Sequence, residues 1–372
     1  MRPRDSLHRY RLRRHRALCV GAALILSIAA GCAQELRTQR LDANAPPQTL
    51  SEWGVLLRTG SELQRPADGL VYAINTPLFS DYAAKLRTLS LPTGGKATFD
   101  ADDTFGFPAG TIVSKTFYLD SSGEPALFAD NSLRTAATGR LLETRLLVRT
   151  DSEWVALPYV WRADGSDADL ALTGDIIDLP DGNLYVVPTR NECSSCHAQG
   201  KDKRLRPIGL KARHLQRQDD DSALRRIAAR GWLDVPAAEA VRGNAVWQST
   251  RDWSTLDDTA LAHAARSYLD ANCGHCHHPE GAADTSRLFL DYAIEYSTRD
   301  MGRCKPPIAA GRGTGGRLYD YVPGQPGASI MVHRMASTDP GAMMPEIGRT
   351  RAHAEGVALI SEWVRRQEGT CL

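Results

Sequence analysis

Cys193-Ser194-Ser195-Cys196-His197 and Cys273-Gly274-His275-Cys276-His277 are two copies of one pentapeptide, Cys-x-x-Cys-His, in a chain of 372 residues. Two cysteines three positions apart, followed at once by histidine, make the attachment signature of c-type haem. The thiols bond the porphyrin vinyl groups, and the histidine supplies the proximal nitrogen to iron. A four-thiolate zinc ribbon separates its cysteine pairs by roughly 15–20 residues, whereas 76 residues lie between Cys196 and Cys273. A thioredoxin-like dithiol needs no histidine after each second cysteine. The motifs therefore predict two covalently attached haem c groups. Cys193, Cys196, Cys273 and Cys276 would be the thioethers, and His197 and His277 the proximal ligands.

Such attachment requires export, and the N-terminus reads accordingly. Residues 1–16 hold seven arginines, an apolar run spans Ala17 to Ala30, and Gly31-Cys32 follows. A basic region, a short apolar core and small residues at the end form a signal peptide; the core is too short to span a bilayer. Ala29-Ala30-Gly31-Cys32 resembles a lipobox, although Ala29 stands where leucine is preferred. Lipidation of Cys32 would tether the chain to the outer membrane. Ordinary cleavage near Ala30 or Ala33 remains the alternative. Losing residues 1–31, with seven Arg and one Asp, turns a formal charge of +1 into −5. A mildly acidic surface suits a soluble exported protein and argues against a nucleic-acid partner. Cys304 and Cys371 are then the two unassigned cysteines, and in an oxidising compartment they are expected to pair.

Outward from the motifs, the chain divides by pattern. Residues 1–31 read as the signal peptide, 32–45 as a tether, 46–190 as a β-rich domain, 191–256 as a first haem segment and 257–372 as a second cytochrome c domain. In the β-rich part, Ile112, Ser114, Thr116 and Tyr118 alternate with Val113, Lys115, Phe117 and Leu119. Further strand-like runs lie at Leu141–Val148, Trp154–Trp161 and Leu184–Val187. Turn signals such as Thr93-Gly94-Gly95 and Asp181-Gly182 fall between such runs. Short, regularly spaced strands argue for an antiparallel sandwich or barrel. After Cys193 helical periodicity takes over, at 221–230, at 259–272 and at 352–367. The expected fold is therefore multidomain: an antiparallel β-rich, sandwich-like domain, then mainly α-helical cytochrome c-type haem domains.

Distal ligands come from the other side of each ring. Met344-Pro345 lies 67 residues after His277, just before the last helical segment, and small cytochromes c present a methionine from such a loop. Met344 is the expected distal ligand of the second haem, with Met343 as the alternative. A thioether opposite histidine raises the potential. The first haem has no methionine between His197 and the second domain. Pro207-Ile208-Gly209 resembles a loop whose carbonyl accepts the proximal ring N–H. His214 is the nearest distal candidate, with His263, Met335, Lys211 or an open five-coordinate iron as alternatives.

The order of these pieces resembles a family of proteobacterial dihaem c-type cytochromes, across roughly residues 50–370. The matching runs are Asn75-Thr76-Pro77-Leu78-Phe79-Ser80-Asp81-Tyr82, Tyr159-Val160-Trp161, Pro207-Ile208-Gly209 with Lys211-Ala212-Arg213, Cys304-Lys305-Pro306-Pro307, and Met343-Met344-Pro345-Glu346 with Gly348-Arg349. The resemblance implies two haems and an N-terminal β domain, and carries little about substrate. The leading expectation is electron transfer with periplasmic redox proteins, a dehydrogenase or a terminal acceptor. The alternatives are a peroxidase-like dihaem enzyme with one open iron, or a sensing module in which Trp154, Tyr159 and Trp161 form a ligand platform. No catalytic triad or carboxylate pair stands out.

Overall fold

The alternating residues of Ile112–Leu119 form one of the inner strands of a six-stranded antiparallel sheet. The computed structural model describes residues 35–120, 133–220, 222–234, 241–248, 251–292, 297–308 and 311–371. A hairpin of β1 (Leu57–Thr59) and β2 (Glu62–Gln64) precedes the sheet. The sheet then runs in chain order: β3 (Gly69–Val71), β4 (Ala84–Ser90), β5 (Ile112–Leu119), β6 (Arg140–Arg149), β7 (Trp154–Trp161) and β8 (Ala168–Leu170). Two short antiparallel pairs follow, β9 (Asp175–Asp178) with β10 (Leu184–Val187), and β11 (Ala198–Gln199) with β12 (Arg204–Leu205). The signal peptide, the lipobox and Cys32 lie outside the described residues.

Both faces of the sheet are covered. One face carries Ile112, Tyr118, Leu146, Leu157 and Tyr159 against Leu50, Trp53 and Leu63 from the preceding segment. Trp53 Nε1 donates to Tyr159 Oη at 2.7 Å, and that hydroxyl donates to Pro47 O at 2.9 Å. The other face carries Val113, Leu147 and Ala156 against Leu210, Leu215, Leu224 and Ile227. A buried leucine on either face contributes roughly 1.5–3 kcal/mol. Further along this second face the residues become charged, and that change matters for the site.

The helices are short. They are α1 (Leu133–Thr138), α2 (Cys193–His197), α3 (Ala212–Leu215), α4 (Ala223–Ala229), α5 (Asp258–Leu269), α6 (Ile330–Ala336) and α7 (Ala354–Arg365). Asp257 caps α5 by accepting from Ala260 N at 2.8 Å. Leu261, Ala265, Tyr268 and Leu269 of α5 pack with Leu359, Ile360, Trp363 and Val364 of α7, and with Met331 and Met335 of α6. Cys304 and Cys371 form a disulfide with Cα atoms 5.2 Å apart, tying the end of the chain to the loop before α6. Among the described residues no helix is long and apolar enough to cross a membrane. Glu35–Leu372 form one compact unit.

This architecture corrects the expected fold class. The molecule is β-rich, built on one antiparallel sheet, and the half after Cys193 is not mainly α-helical. Among the described residues the second face is covered by short helices and loops from residues 193–233, and towards Phe117 and Leu119 by the small β9–β10 pair through Leu179, Tyr185 and Val187. The alternation in β5 suggested a two-layered β core, but period-2 patterning reports only that two faces differ. It does not report what lies on them. After Cys276 the chain is rich in Gly and Pro and turns through short 3-10 segments such as Asp284–Ser286 and Gly311–Thr314.

Candidate functional site

Each motif sits where local sequence shapes one turn of helix. Before α2, Thr189 and Glu192 satisfy each other: Thr189 N donates to Glu192 Oε2 at 2.8 Å, and Glu192 N to Thr189 Oγ1 at 3.2 Å. This reciprocal bond has the pattern of a capping box and closes the turn that leads into α2. The second motif grows out of α5, which widens into a π turn over Asp270–Gly274. Such turns are frequent at functional sites. His277 N then closes on Cys273 O at 2.9 Å.

The two histidines share one geometry. His197 Nδ1–H donates to Arg206 O at 2.7 Å, and His277 Nδ1–H to Leu288 O at 3.1 Å. The acceptor for His197 is thus the residue just before the expected proline loop. A fixed Nδ1 leaves each Nε2 as the available lone pair. Burial, then the charge of Lys115, pushes His197 down to about 4. Burial also brings His277 to about 4. Both rings are neutral at pH 7, the form that ligates metal.

Each histidine opens on its own cavity. The first lies between the charged part of the sheet face, α2, the Pro207–Lys211 loop and Asp270–Ala271. The second is lined by Cys273, His277, Lys305, Met335 and Met344. The residues that would hold a covalent haem are the first motif cysteine and the oriented neutral imidazole that line each cavity, with Cys196 and Cys276 meeting each other outside both linings. Met344, on a loop clamped by Arg349 Nη2, which donates to Met344 O at 3.1 Å and Ser337 O at 2.9 Å, would be the distal group of the second. Met343 does not line that cavity.

Placement of the other candidates is mixed. His214 lines the first cavity, but its Nε2–H donates to Asp270 Oδ2 at 2.7 Å. Its Nδ1 is buried with no hydrogen-bond partner. Asp270 also accepts from Arg213 Nε and Nη2, each at 2.9 Å, and from Asn244 Nδ2 at 2.9 Å. Burial would raise this carboxyl, but the charges of His214 and Arg213 outweigh it and hold Asp270 well below the usual range. Lys211 lines the first cavity and pairs with Asp103 at 3.4 Å. His263 is elsewhere, bonded to Gly243 O, and Met335 belongs to the second cavity. Trp154, Tyr159 and Trp161 are buried core residues.

The motifs meet back to back. Cys196 Sγ, Cys276 Sγ and a ring nitrogen of His275 lie within 4.8 Å of one another. Gln199 joins the two segments: its Nε2 donates to Cys196 O at 2.8 Å and His275 O at 2.6 Å, and its Oε1 accepts from His278 Nε2 at 2.6 Å. Cys193 and Cys273 stand apart in their own cavities, so the four thiols do not form one zinc site. Sequence reasoning missed Gln199, Asp270 and the sheet cations Arg87, Lys115 and Arg145. The available signals were a glutamine two residues past His197 and charges at alternate positions of strands otherwise apolar.

Comparison with family models, curated proteins and solved structures finds no match to this chain. The functional reading rests on the site.

Proposed function

We propose that this chain is an exported dihaem c-type electron-transfer protein whose two attachment motifs meet at their second cysteines. One observation carries the reading: Cys196 and Cys276, the second cysteines of two complete attachment motifs, bring their sulfurs within 4.8 Å. When bound, haem supplies a one-electron iron couple whose potential depends on axial ligand and burial. The chain's own part is to bind and to fix. The four free thiols Cys193, Cys196, Cys273 and Cys276 anchor; His197 and His277 present Nε2; Met344 supplies a thioether to the second cavity. Gln199, buried at 6 % exposure, holds the two motifs in register. The partners are periplasmic redox proteins, a dehydrogenase or a terminal acceptor. The lipobox-like Ala29-Ala30-Gly31-Cys32 supports anchoring in the outer membrane; labelled fatty acid should enter the wild type and not Cys32→Ala.

A pyridine haemochrome assay on the exported protein, with denatured mass, tests the core of this reading. Two haems per chain are expected. A count of zero or one, with motif thiols free, would overturn it. A second reading has its own support: no methionine lines the first cavity, and His214 Nε2 is engaged by Asp270. An open first iron would make the protein a peroxidase-like enzyme. EPR separates the two, since one high-spin signal that cyanide converts to low spin favours the enzyme.

A further inference from the structure

On the sheet face that lines the first cavity, three cations stand directly side by side. Arg87 in β4 is opposite Lys115 in β5, and Lys115 is opposite Arg145 in β6. All three line the cavity beside Cys193 and His197. Like charges in opposite register repel; Arg87 is buried and Lys115 and Arg145 are half-buried, and a charge withdrawn even partly from water is costly unless paired. The nearby carboxylates are already engaged. Glu143 accepts from Arg145 Nε at 2.7 Å and from Tyr185 Oη at 2.6 Å. Asp270 serves Arg213, His214 and Asn244, and Asp103 pairs with Lys211. Among the described residues Lys115 has no carboxylate partner; its Nζ lies 5.0 Å from the Phe117 ring centroid. That ring also takes Arg145, whose Cζ is 4.5 Å away. Lys85 Nζ lies 5.7 Å from the same ring, and one aromatic ring shared among three cations offsets only part of the cost, about 2 kcal/mol at best.

We propose that the Arg87–Lys115–Arg145 row is an anion-binding floor, which holds a carboxylate or small oxyanion against the sheet within the first cavity. Two sources share that chemistry. One is a propionate of the first haem, and this arm rests on the haem reading above. The other is a free inorganic anion entering beside His197. Lys115 is the principal counter-ion, because Arg145 already has Glu143.

The full chain is tested as wild type, Lys115→Met and Lys115→Arg, after a haemochrome count and a circular dichroism check of folding. Sodium nitrite is titrated by calorimetry, which reads binding whether or not haem is attached. A free-anion site gives binding to the wild type that weakens about ten- to a hundredfold in Lys115→Met and returns in Lys115→Arg. A propionate seat gives no nitrite binding. Instead one haem's propionate bending band in the resonance Raman spectrum shifts in Lys115→Met and returns in Lys115→Arg. If folded Lys115→Met matches the wild type in both measurements, the floor binds no anion and the proposal is wrong. A haemochrome count of zero overturns the haem reading and the propionate arm, and nitrite calorimetry then decides the rest alone.

Discussion

Asp270 gathers more of the molecule than any neighbour of the motifs. Besides Arg213, His214 and Asn244 it accepts from Tyr292 N at 3.0 Å, and it is 3 % exposed. Removing one partner of a buried pair leaves the other charge uncompensated. Asp270→Asn should cost about 3–5 kcal/mol, read as a lower urea midpoint. The pH dependence follows from the same residues. Burial lowers His214 below 6.5 and brings His353 to about 3. The unfolded state then binds more protons than the folded one below its own histidine pKa. Stability is fully present above about pH 7 and is lost as pH falls from roughly 6.5 toward the lower folded values. Asp270, depressed below 3.8, adds a further loss of the same sign under more acid conditions. A denaturation midpoint that rises on acidification would contradict this assignment. Met344 carries a different test. Met344→Ala in the haem-loaded protein should abolish the weak red-end ferric band of methionine ligation and lower one potential. The same loss from Met335→Ala or Met343→Ala, with Met344→Ala silent, would move the assignment.

At the scale of elements, the Cys304–Cys371 bridge spans 67 residues and includes α6 and α7. Chain entropy gives such a closure typically 2–4 kcal/mol. Cys371→Ser should lower stability by about that amount while leaving the haem count of the wild type unchanged, since neither cavity includes the bridge. Thermal unfolding of the purified variant checks it. The same scale shows what pattern reading can do. The strands at Leu184–Val187 and Trp154–Trp161 and the helices around 259–272 and 352–367 were all legible, because alternation and helical periodicity are local. β4 was not. Ala84–Ser90 carries Lys85, Arg87 and Thr88, yet every residue in it is buried. Arg87 faces the first cavity and Lys85 donates to Ala83 O at 2.8 Å, and no local pattern separates such surroundings from water.

At the scale of the whole molecule, the contact between the motifs is the controlling feature. Gln199 bridges segments 76 residues apart in sequence. Gln199→Leu would strand the carbonyls of Cys196 and His275 and the ring of His278. Each buried group left without its bond costs about 1–3 kcal/mol. The variant should unfold earlier, keep both attachment sites, and show weaker magnetic interaction between the two irons by EPR. Unchanged spectra and stability would show that the motifs do not depend on this side chain for their register.

The sequence by itself located the two motifs, because two thiols and a histidine in contiguous residues need only one helical turn to act together. It also left Cys304 and Cys371 as the two unassigned cysteines, whose pairing the tertiary structure supplies, and placed Met344 in a loop before the last helix. Only the tertiary structure decided the fold class, replacing a sandwich and helical domains with one six-stranded sheet whose second face is covered by the first motif's segment and by the β9–β10 pair. Only it brought Cys196 to Cys276, withdrew His214 Nε2 to Asp270, and set Arg87, Lys115 and Arg145 in a row inside the first cavity. Register between strands and contact between distant loops depend on burying particular faces against particular partners, and those partners are fixed only when the chain closes on itself.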